Sequence, residues 1–187
     1  RFFVFAAMAA TCLAASAQNL KFAHVDYQEV MLVMPEYMQA MDVMSAAQNE
    51  AQETFQGMMD EYQAKVAAYE KNAATWSTTI RETKEKELGD IQNRLQEFQQ
   101  SVQAELQQQQ QQLMAPISKK ASDAVTAVAK EGNYIYVFDK NSALYVDDSQ
   151  SDDITMAVRK ALGVPDDRTV ESVQAEMQAK AAAQQQN

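Results

Sequence analysis

The sequence has few of the residues that interrupt helices or carry out catalysis. Its 187 residues include four glycines, three prolines, one histidine and one cysteine. A compact domain with many tight turns needs more glycine and proline, so this composition predicts long uninterrupted helices. The glycines stand far apart in the sequence. This spacing excludes the glycine-rich loops that bind phosphates or dinucleotides and the sharp turn that carries a nucleophilic serine.

The single histidine and the single cysteine narrow the possible chemistry further. Cys12 lies in a segment that we predict to be removed, so the mature chain would contain no disulfide, thiolate metal site or redox centre. His24 cannot form a metal cluster with a second histidine. It lies on the same strand face as Asp26, but we favour a partly exposed structural histidine over a catalytic dyad.

Four acidic residues near the carboxyl end form the pairs Asp147-Asp148 and Asp152-Asp153. A calcium loop places carboxylates at alternate positions with a glycine at its turn, and this segment contains no glycine. We therefore interpret Ser151 or Asp152 as the N-cap of a following helix. Together these patterns predict no catalytic residue, no cofactor and no metal, and hence a protein that is not an enzyme.

The amino-terminal residues have the pattern of a secretory signal peptide. Arg1 precedes an apolar run, and Ala15-Ser16-Ala17 supplies the small residues of a cleavage site. This predicts a signal peptide over residues 1–17, removed after Ala17. The apolar run is shorter than the roughly 20 residues of a bilayer span, which argues against a permanent anchor. A lipoprotein modified at Cys12 is the alternative, although the residues before it fit that signal poorly.

The formal net charge is −10. A protein that binds nucleic acid needs a basic surface, so this charge predicts no nucleic-acid partner.

A seven-residue apolar repeat continues over six heptads after Pro35 and requires a partner helix along its whole length. A second apolar stripe follows a segment rich in Asn, Ser and Thr. We therefore predict a long antiparallel helical hairpin, a coiled-coil arm over residues 35–131 with its tip near 72–79. Gly57 and Gly89 are either hinges or tolerated defects of the two helices. The predicted seam consists of Met41, Met44, Phe55, Met58, Tyr62, Tyr69, Leu88, Ile91, Leu95, Phe98 and Val102.

The remaining segments predict a small β-containing body at residues 18–34 and 132–163. The patterns of Leu20–Tyr27 and of residues 133–139 indicate strands, and Ala143–Val146 would return as a further strand. A helix is expected from Ile154 to Leu162, ended by Gly163. Residues 164–187 form an Ala- and Gln-rich tail that we expect to be frayed or disordered in isolation. The fold class is thus mainly α with a small β body.

Methionines are concentrated in the first arm, where this flexible side chain suits both irregular packing and adaptable surfaces. Three apolar residues of this arm share one heptad position beside the seam: Met38, Met59 and Val66. They are interpreted as the buried edge of the apolar stripe or, alternatively, as contacts for an unfolded client. The candidate client contacts are Met38, Met59, Val66, Trp76, Lys84 and Lys86.

Three segments resemble the Skp/OmpH family of periplasmic chaperones in order and spacing. They are Lys21–Asp26, Met34–Tyr37 and the stretch from Tyr136 to Gly163. The resemblance implies an ATP-independent periplasmic holdase that binds unfolded outer-membrane proteins between the arms of a homotrimer. The short strands of three chains would form the trimer body through Phe22, Val25, Ile135, Tyr136, Val137 and Phe138. The rival interpretation is a secreted coiled-coil scaffold or adaptor with one fixed protein partner.

The charge of this chain departs from the pattern of the family. Its best-known members are strongly basic, whereas this chain is acidic. The resemblance would imply a contact with membrane lipid or lipopolysaccharide, but the acidic charge argues against such a contact in this chain.

Overall fold

The computed structural model describes residues 20–184, so the predicted signal peptide and its cleavage site lie outside the described residues. Long helices and a small sheet make up the chain, in agreement with the predicted mainly α fold. In chain order the elements are β1 (Lys21–Val25), α1 (Tyr27–Val33), α2 (Pro35–Asn72), α3 (Thr78–Glu131), β2 (Tyr134–Asp139), β3 (Ser151–Asp153), α4 (Thr155–Ala161) and α5 (Val170–Gln184). Within residues 20–184, no helix is long and apolar enough to cross a membrane.

The chain divides into two compact units. The first consists of the residues up to Val30 and of Ala121–Arg168, and it contains the sheet and α4. The second consists of Met31–Lys120 and the residues from Thr169 onward, and it contains α2, most of α3, and α5.

The sheet of the first unit has the order β2-β1-β3, and both pairs of strands are parallel. The prediction that Ala143–Val146 forms a strand is wrong, because the third strand is Ser151–Asp153. Parallel strands cannot be joined by a tight hairpin. The chain after β2 must therefore return to the end of the sheet at which all three strands begin. Residues 140–150 make this return through a 3-10 turn at Lys140–Ser142 and a turn in which Asp147 accepts hydrogen bonds from Ser149.

The core of the first unit surrounds β1, the central strand, and extends to α1 and α4. Helix α1 was not predicted; its first turn is closed by the Asp26 carboxylate, which accepts the Glu29 N–H at 2.9 Å. The core also contains three polar side chains. The buried residues are Ala23, His24, Val25, Val30, Ala121, Ile154, Thr155, Val158, Arg159 and Val164.

Helix α4 confirms the helix expected between Ile154 and Leu162. Its end is fixed by Gly163, whose φ of 71° is accessible to glycine without steric cost. The Val164 N–H then donates to the Arg159 carbonyl at 3.0 Å, which closes the helix as in a Schellman motif. The predicted N-cap at Ser151 or Asp152 is wrong, since both residues belong to β3. Asp153 accepts the Thr155 N–H instead, at 2.9 Å.

The second unit contains the two long helices, which begin and end close to the predicted positions. Proline at the first position of α2 leaves no N–H unpaired there. The chain turns at residues 73–77, and α3 continues without interruption through Pro116 to Glu131. Side chains of the two helices meet in pairs whose numbers rise along α2 and fall along α3. These pairs are Glu36 with Lys120, Glu61 with Arg94, Lys65 with Glu87, and Tyr69 with Glu85.

Most of the tail is helical in the complete chain, because α5 occupies residues 170–184. Its residue Val173 is fully buried, and Lys180 pairs with Asp42 of α2. These tertiary contacts supply stability that the Ala- and Gln-rich sequence of α5 lacks on its own.

Candidate binding surfaces

His24 is buried, with 2% of its surface exposed, rather than partly exposed as predicted. Its Nδ1 lies 3.0 Å from the Ser151 hydroxyl, and its Nε2 lies 3.6 Å from the Asp153 carboxylate. Asp26 makes different contacts: its N–H donates to the Thr155 hydroxyl and its carboxylate accepts from Asn141. The structure therefore joins His24 to β3 and not to Asp26.

The electrostatics around His24 follow from these contacts. Burial acts to raise the pKa of Asp153, but hydrogen bonds from Thr155 and the nearby His24 outweigh it and leave the pKa below its ordinary value. Asp153 is thus held as an anion next to the imidazole. Within residues 20–184 there is no group of three or more His, Asp or Glu side chains placed to hold a metal ion.

One exposed apolar surface lies on β2, at the edge of the sheet. Ile135, Tyr136 and Phe138 are exposed by 47%, 61% and 54%. The Tyr136 ring stacks with Phe22 at 6.4 Å and contacts the Phe138 ring at 5.9 Å. Successive side chains of a strand point to opposite sides, so Ile135 lies on the other side of this edge strand from Tyr136 and Phe138. We use the name β2 face for Phe22, Ile135, Tyr136 and Phe138 together, on both sides of the edge. Large apolar side chains beside an unpaired strand edge are typical of a surface that associates with another chain.

The predicted trimer-body residues differ in how much surface they offer. Val25 is buried within its own chain and Val137 is half-buried, so neither has as much free surface as the β2 face. Sequence reasoning missed Leu144 and Tyr145, whose side chains are almost fully exposed in the loop after β2. They were assigned to a strand that the structure does not contain, so their exposure could not be anticipated.

A second surface follows the seam between α2 and α3. Of the predicted seam residues only Ile91 is buried, and the others are half-buried. Two helices alone cannot enclose their apolar stripes, and alanines on α2 leave additional space opposite the larger residues of α3. The seam therefore joins the helices and also presents apolar area to solvent.

Grooves open along this seam, with apolar floors and glutamine rims. One groove of about 350 Å³ has Phe55, Phe98, Val102 and Leu106 on its floor and four glutamines around it. A groove of about 300 Å³ is lined by Tyr37, Ala40, Met41, Met44, Gln48, Leu106, Gln107, Gln110, Leu113 and Met114. We call these two grooves the seam grooves. Methionine-containing surfaces adapt to partners of different shape.

The predicted client contacts on α2 have different exposures. Met38 is 4% exposed, whereas Met59 and Val66, at the same heptad position, are half-buried. The arrangement thus offers Met59 and Val66 to a partner more readily than Met38.

Near the turn between α2 and α3, charged side chains are paired both within α3 and across the seam. Lys84 lies 3.0 Å from both carboxylate oxygens of Glu87, and Lys65 lies 3.5 Å from one of them. The hydrogen bond from Lys84, with the nearby charges of both lysines, lowers the pKa of Glu87. Lys84 is thus held in an ion pair, whereas Lys86 is exposed.

The aromatic residues near the turn also make contacts within the chain. The half-buried Trp76 packs edge-on against Tyr69, with ring centroids 5.9 Å apart. Tyr69 donates a hydrogen bond to Glu85, which raises the pKa of the phenol.

Comparisons with known proteins identify relatives of this fold. A crystal structure of a candidate outer membrane chaperone (OmpH-like) from Caulobacter crescentus CB15 superposes with a TM-score of 0.66. The two sequences are 14% identical, and the match covers 79% of this chain and 86% of the other. No curated protein sequence matches this chain significantly. The sequence profile of the family described as "Outer membrane protein (OmpH-like)" matches residues 21–162, and this chain therefore belongs to the OmpH-like family.

Proposed function

We propose that this chain is an ATP-independent holdase chaperone of the periplasm, which binds unfolded outer-membrane proteins and prevents their aggregation. Membership of the OmpH-like family, a family of chaperones and not of enzymes, supports this function. The observation that carries the proposal is the pair of seam grooves, whose apolar floors lie open to solvent.

The seam grooves suit a chain without fixed structure. An outer-membrane strand alternates apolar and polar side chains, so its extended form can place apolar groups on a groove floor and polar groups among the glutamines of the rim. Each such contact is weak and has no single geometry, which allows release without nucleotide. Half-buried Met59 and Val66 extend the apolar area beside the seam.

We further propose that α2 and α3 form an antiparallel coiled-coil arm over residues 35–131. The order of the cross-helix pairs supports this arrangement. Residues 18–34 and 132–163 form the β-containing body in this proposal. The arm then carries the client surface and the body carries the contact between subunits.

The proposed oligomer is a homotrimer associated through the β2 face. An exposed edge strand with aromatic residues is unfavourable in water, and pairing with a second chain removes it from solvent. The three-stranded sheet is also small for an independent body.

The proposed route to the periplasm is export with cleavage after Ala17. Amino-terminal sequencing of the mature protein tests it: Gln18 as the first residue supports the proposal, and a lipid-modified chain beginning at Cys12 contradicts it. The acidic net charge of −10 argues against an anionic lipid or lipopolysaccharide as a partner.

Capture of an unfolded barrel protein is the direct test of function. The purified chain is mixed with a urea-unfolded outer-membrane barrel protein, and the mass of the complex is measured after dilution of the urea. We expect a soluble complex that forms without ATP. A chain that binds one folded partner and no unfolded barrel protein would be a scaffold instead.

A further inference from the structure

Helix α5 lies beyond the segment that matches the OmpH-like family, which ends at residue 162. It belongs to the same compact unit as α2. Its role is therefore not explained by the family match, and its contacts must be considered directly.

An ion pair joins α5 to α2. Lys180 Nζ lies 2.9 Å and 2.7 Å from the two carboxylate oxygens of Asp42. Val173 precedes Lys180 by two helical turns, so both residues lie on the same side of α5. Val173 is fully buried, which identifies this side as the covered one.

The covered side of α2 includes Met38. Met38 precedes Asp42 by four residues, and side chains at this spacing lie on one helix face. Met38 is 4% exposed, while Met59 and Val66 at the equivalent heptad position are half-buried. A covering element near Asp42 that does not extend to Met59 accounts for this difference in exposure.

The length of α5 meets this condition. Its described residues continue for at most ten positions on either side of Lys180, or about 15 Å at 1.5 Å per residue. Met59 lies about 25 Å beyond Asp42 along α2 by the same rise. Helix α5 can thus cover Met38 but does not reach Met59 in either orientation.

The docking of α5 is weak enough to be reversible. The ion pair between Lys180 and Asp42 is exposed, and exposed pairs of this kind contribute little to stability. A helix of this length is marginal in water without tertiary contacts. Apart from Val170, Val173 and Met177, α5 consists of alanine and polar residues.

We propose that α5 is a strap that covers the Met38 face of α2 and, when it detaches, uncovers further apolar surface for an unfolded client. This regulatory role rests on the proposed holdase function. An unfolded chain and α5 would compete for the same face, so capture strengthens when the strap is released.

The rate of thiol labelling measures directly how well α5 shields position 38 from solvent, and the measurement needs no client. Residues 20–184 contain no cysteine, so with Cys12→Ser a single Met38→Cys or Met59→Cys probe reports one site. Lys180→Glu places a second acid beside Asp42, and Asp42→Lys in the same chain restores an opposite pair. In chains that keep Lys180 and Asp42, we expect the thiol of Met38→Cys to react more slowly than the thiol of Met59→Cys.

With Lys180→Glu we expect modification of the residue 38 thiol to accelerate on the order of fivefold, because like charges replace an attractive pair. Labelling at residue 59 should not change, and the charge-swapped chain should return to the original rate at residue 38. Equal acceleration at both sites would indicate general loosening and would overturn the strap. An unchanged rate at residue 38, both with Lys180→Glu and in a chain ending at Arg168, would also overturn it.

Client capture then tests the regulatory role separately. Chains with Lys180→Glu should bind a urea-unfolded barrel protein severalfold more tightly than the wild type. Faster labelling with unchanged affinity would leave α5 as a structural cover and refute the regulation. A wild-type chain that captures no barrel protein would contradict the proposed function, while the labelling rates would still decide whether α5 is a strap.

Discussion

Ile135→Ser, compared with Ile80→Ser, tests whether the β2 face joins subunits. Ile135 on β2 and Ile80 at the start of α3 are exposed by 47% and 46%. The two substitutions therefore remove similar amounts of apolar surface from similarly exposed sites. Only Ile135 belongs to the proposed interface, so Ile80→Ser is a matched control for effects within one chain.

The size of the effect follows from the exposed half of Ile135. Complete burial of an isoleucine side chain contributes about 1.5–3 kcal/mol, so burying the remaining half contributes about 1 kcal/mol per subunit. Three subunits then lose about 3 kcal/mol, which corresponds to about a 100-fold weaker trimer at 1.4 kcal/mol per tenfold. The larger exposed ring of Phe138 should give a greater loss when it is replaced by serine.

Sedimentation velocity over a dilution series measures this loss. We expect chains with Ile80→Ser to associate like the wild type, and those with Ile135→Ser to dissociate at protein concentrations about 10-fold higher, since trimer formation depends on the square of concentration. Equal dissociation of the two variants would show that the β2 face is not the interface. A wild-type chain that is monomeric at all concentrations would refute the trimer itself.

Three further predictions concern stability and charge. Gly132→Ala should destabilise the protein by about 1 kcal/mol, because the added Cβ would overlap the Tyr134 ring, and displacing this ring breaks its hydrogen bond to Asp152; Gly89→Ala, with open space around it, should stabilise by about 1 kcal/mol in the same urea titration. The reverse order would contradict the packing described. The hydrogen bond from its lysine partner on α3 lowers the pKa of Glu36, so this carboxylate stabilises the folded chain above its ordinary value of 4.5 and loses that effect as the pH falls through the lowered pKa. Glu36→Gln should therefore flatten the stability curve between pH 4.5 and the lowered pKa, and an unchanged curve would show that the pair is not formed. Lys86→Glu should slow client association by about twofold at low salt and have less effect at physiological salt, where the Debye length is about 8 Å; a slowing that salt does not reduce would exclude electrostatic steering.

The long helices could be predicted because their signal is local and repeated. The apolar repeat, the proline at position 35 and the glycine at position 132 place α2 and α3 within a residue or two of the observed bounds. A seven-residue apolar spacing over many turns is typical of a helix that packs along a partner helix. The prediction therefore depends little on the rest of the fold.

The shorter elements depend on contacts that one sequence does not display. Strand β3 reads Ser-Asp-Asp, which has little strand character, and it exists because its backbone pairs with β1. Helix α1 depends on the capping carboxylate of Asp26, a signal that was present in the spacing to Glu29 but is weak for so short a helix. Helix α5 depends on tertiary contacts, one of which pairs Lys180 with Asp42, more than a hundred positions away in the sequence.

The candidate surfaces, too, could be predicted only in part. The apolar residues of β2 and of the seam were recognisable by type, but their exposure depends on which neighbours cover them. Val25 and Met38 are buried while Tyr136 and Met59 are not, although all four are apolar or aromatic. The ion pair between the buried Arg159 and the half-buried Glu29, at 2.8 Å, joins α4 to α1 and could not be predicted from the sequence.

Aggregation of an unfolded outer-membrane barrel protein tests the central claim most directly. The barrel protein is diluted from urea into buffer without nucleotide, and light scattering is followed with and without a molar excess of the purified chain. We predict that the chain suppresses scattering and that the barrel protein stays soluble until lipid vesicles are added, when it leaves the chaperone and inserts. Scattering that is unchanged by the chain would contradict the holdase function.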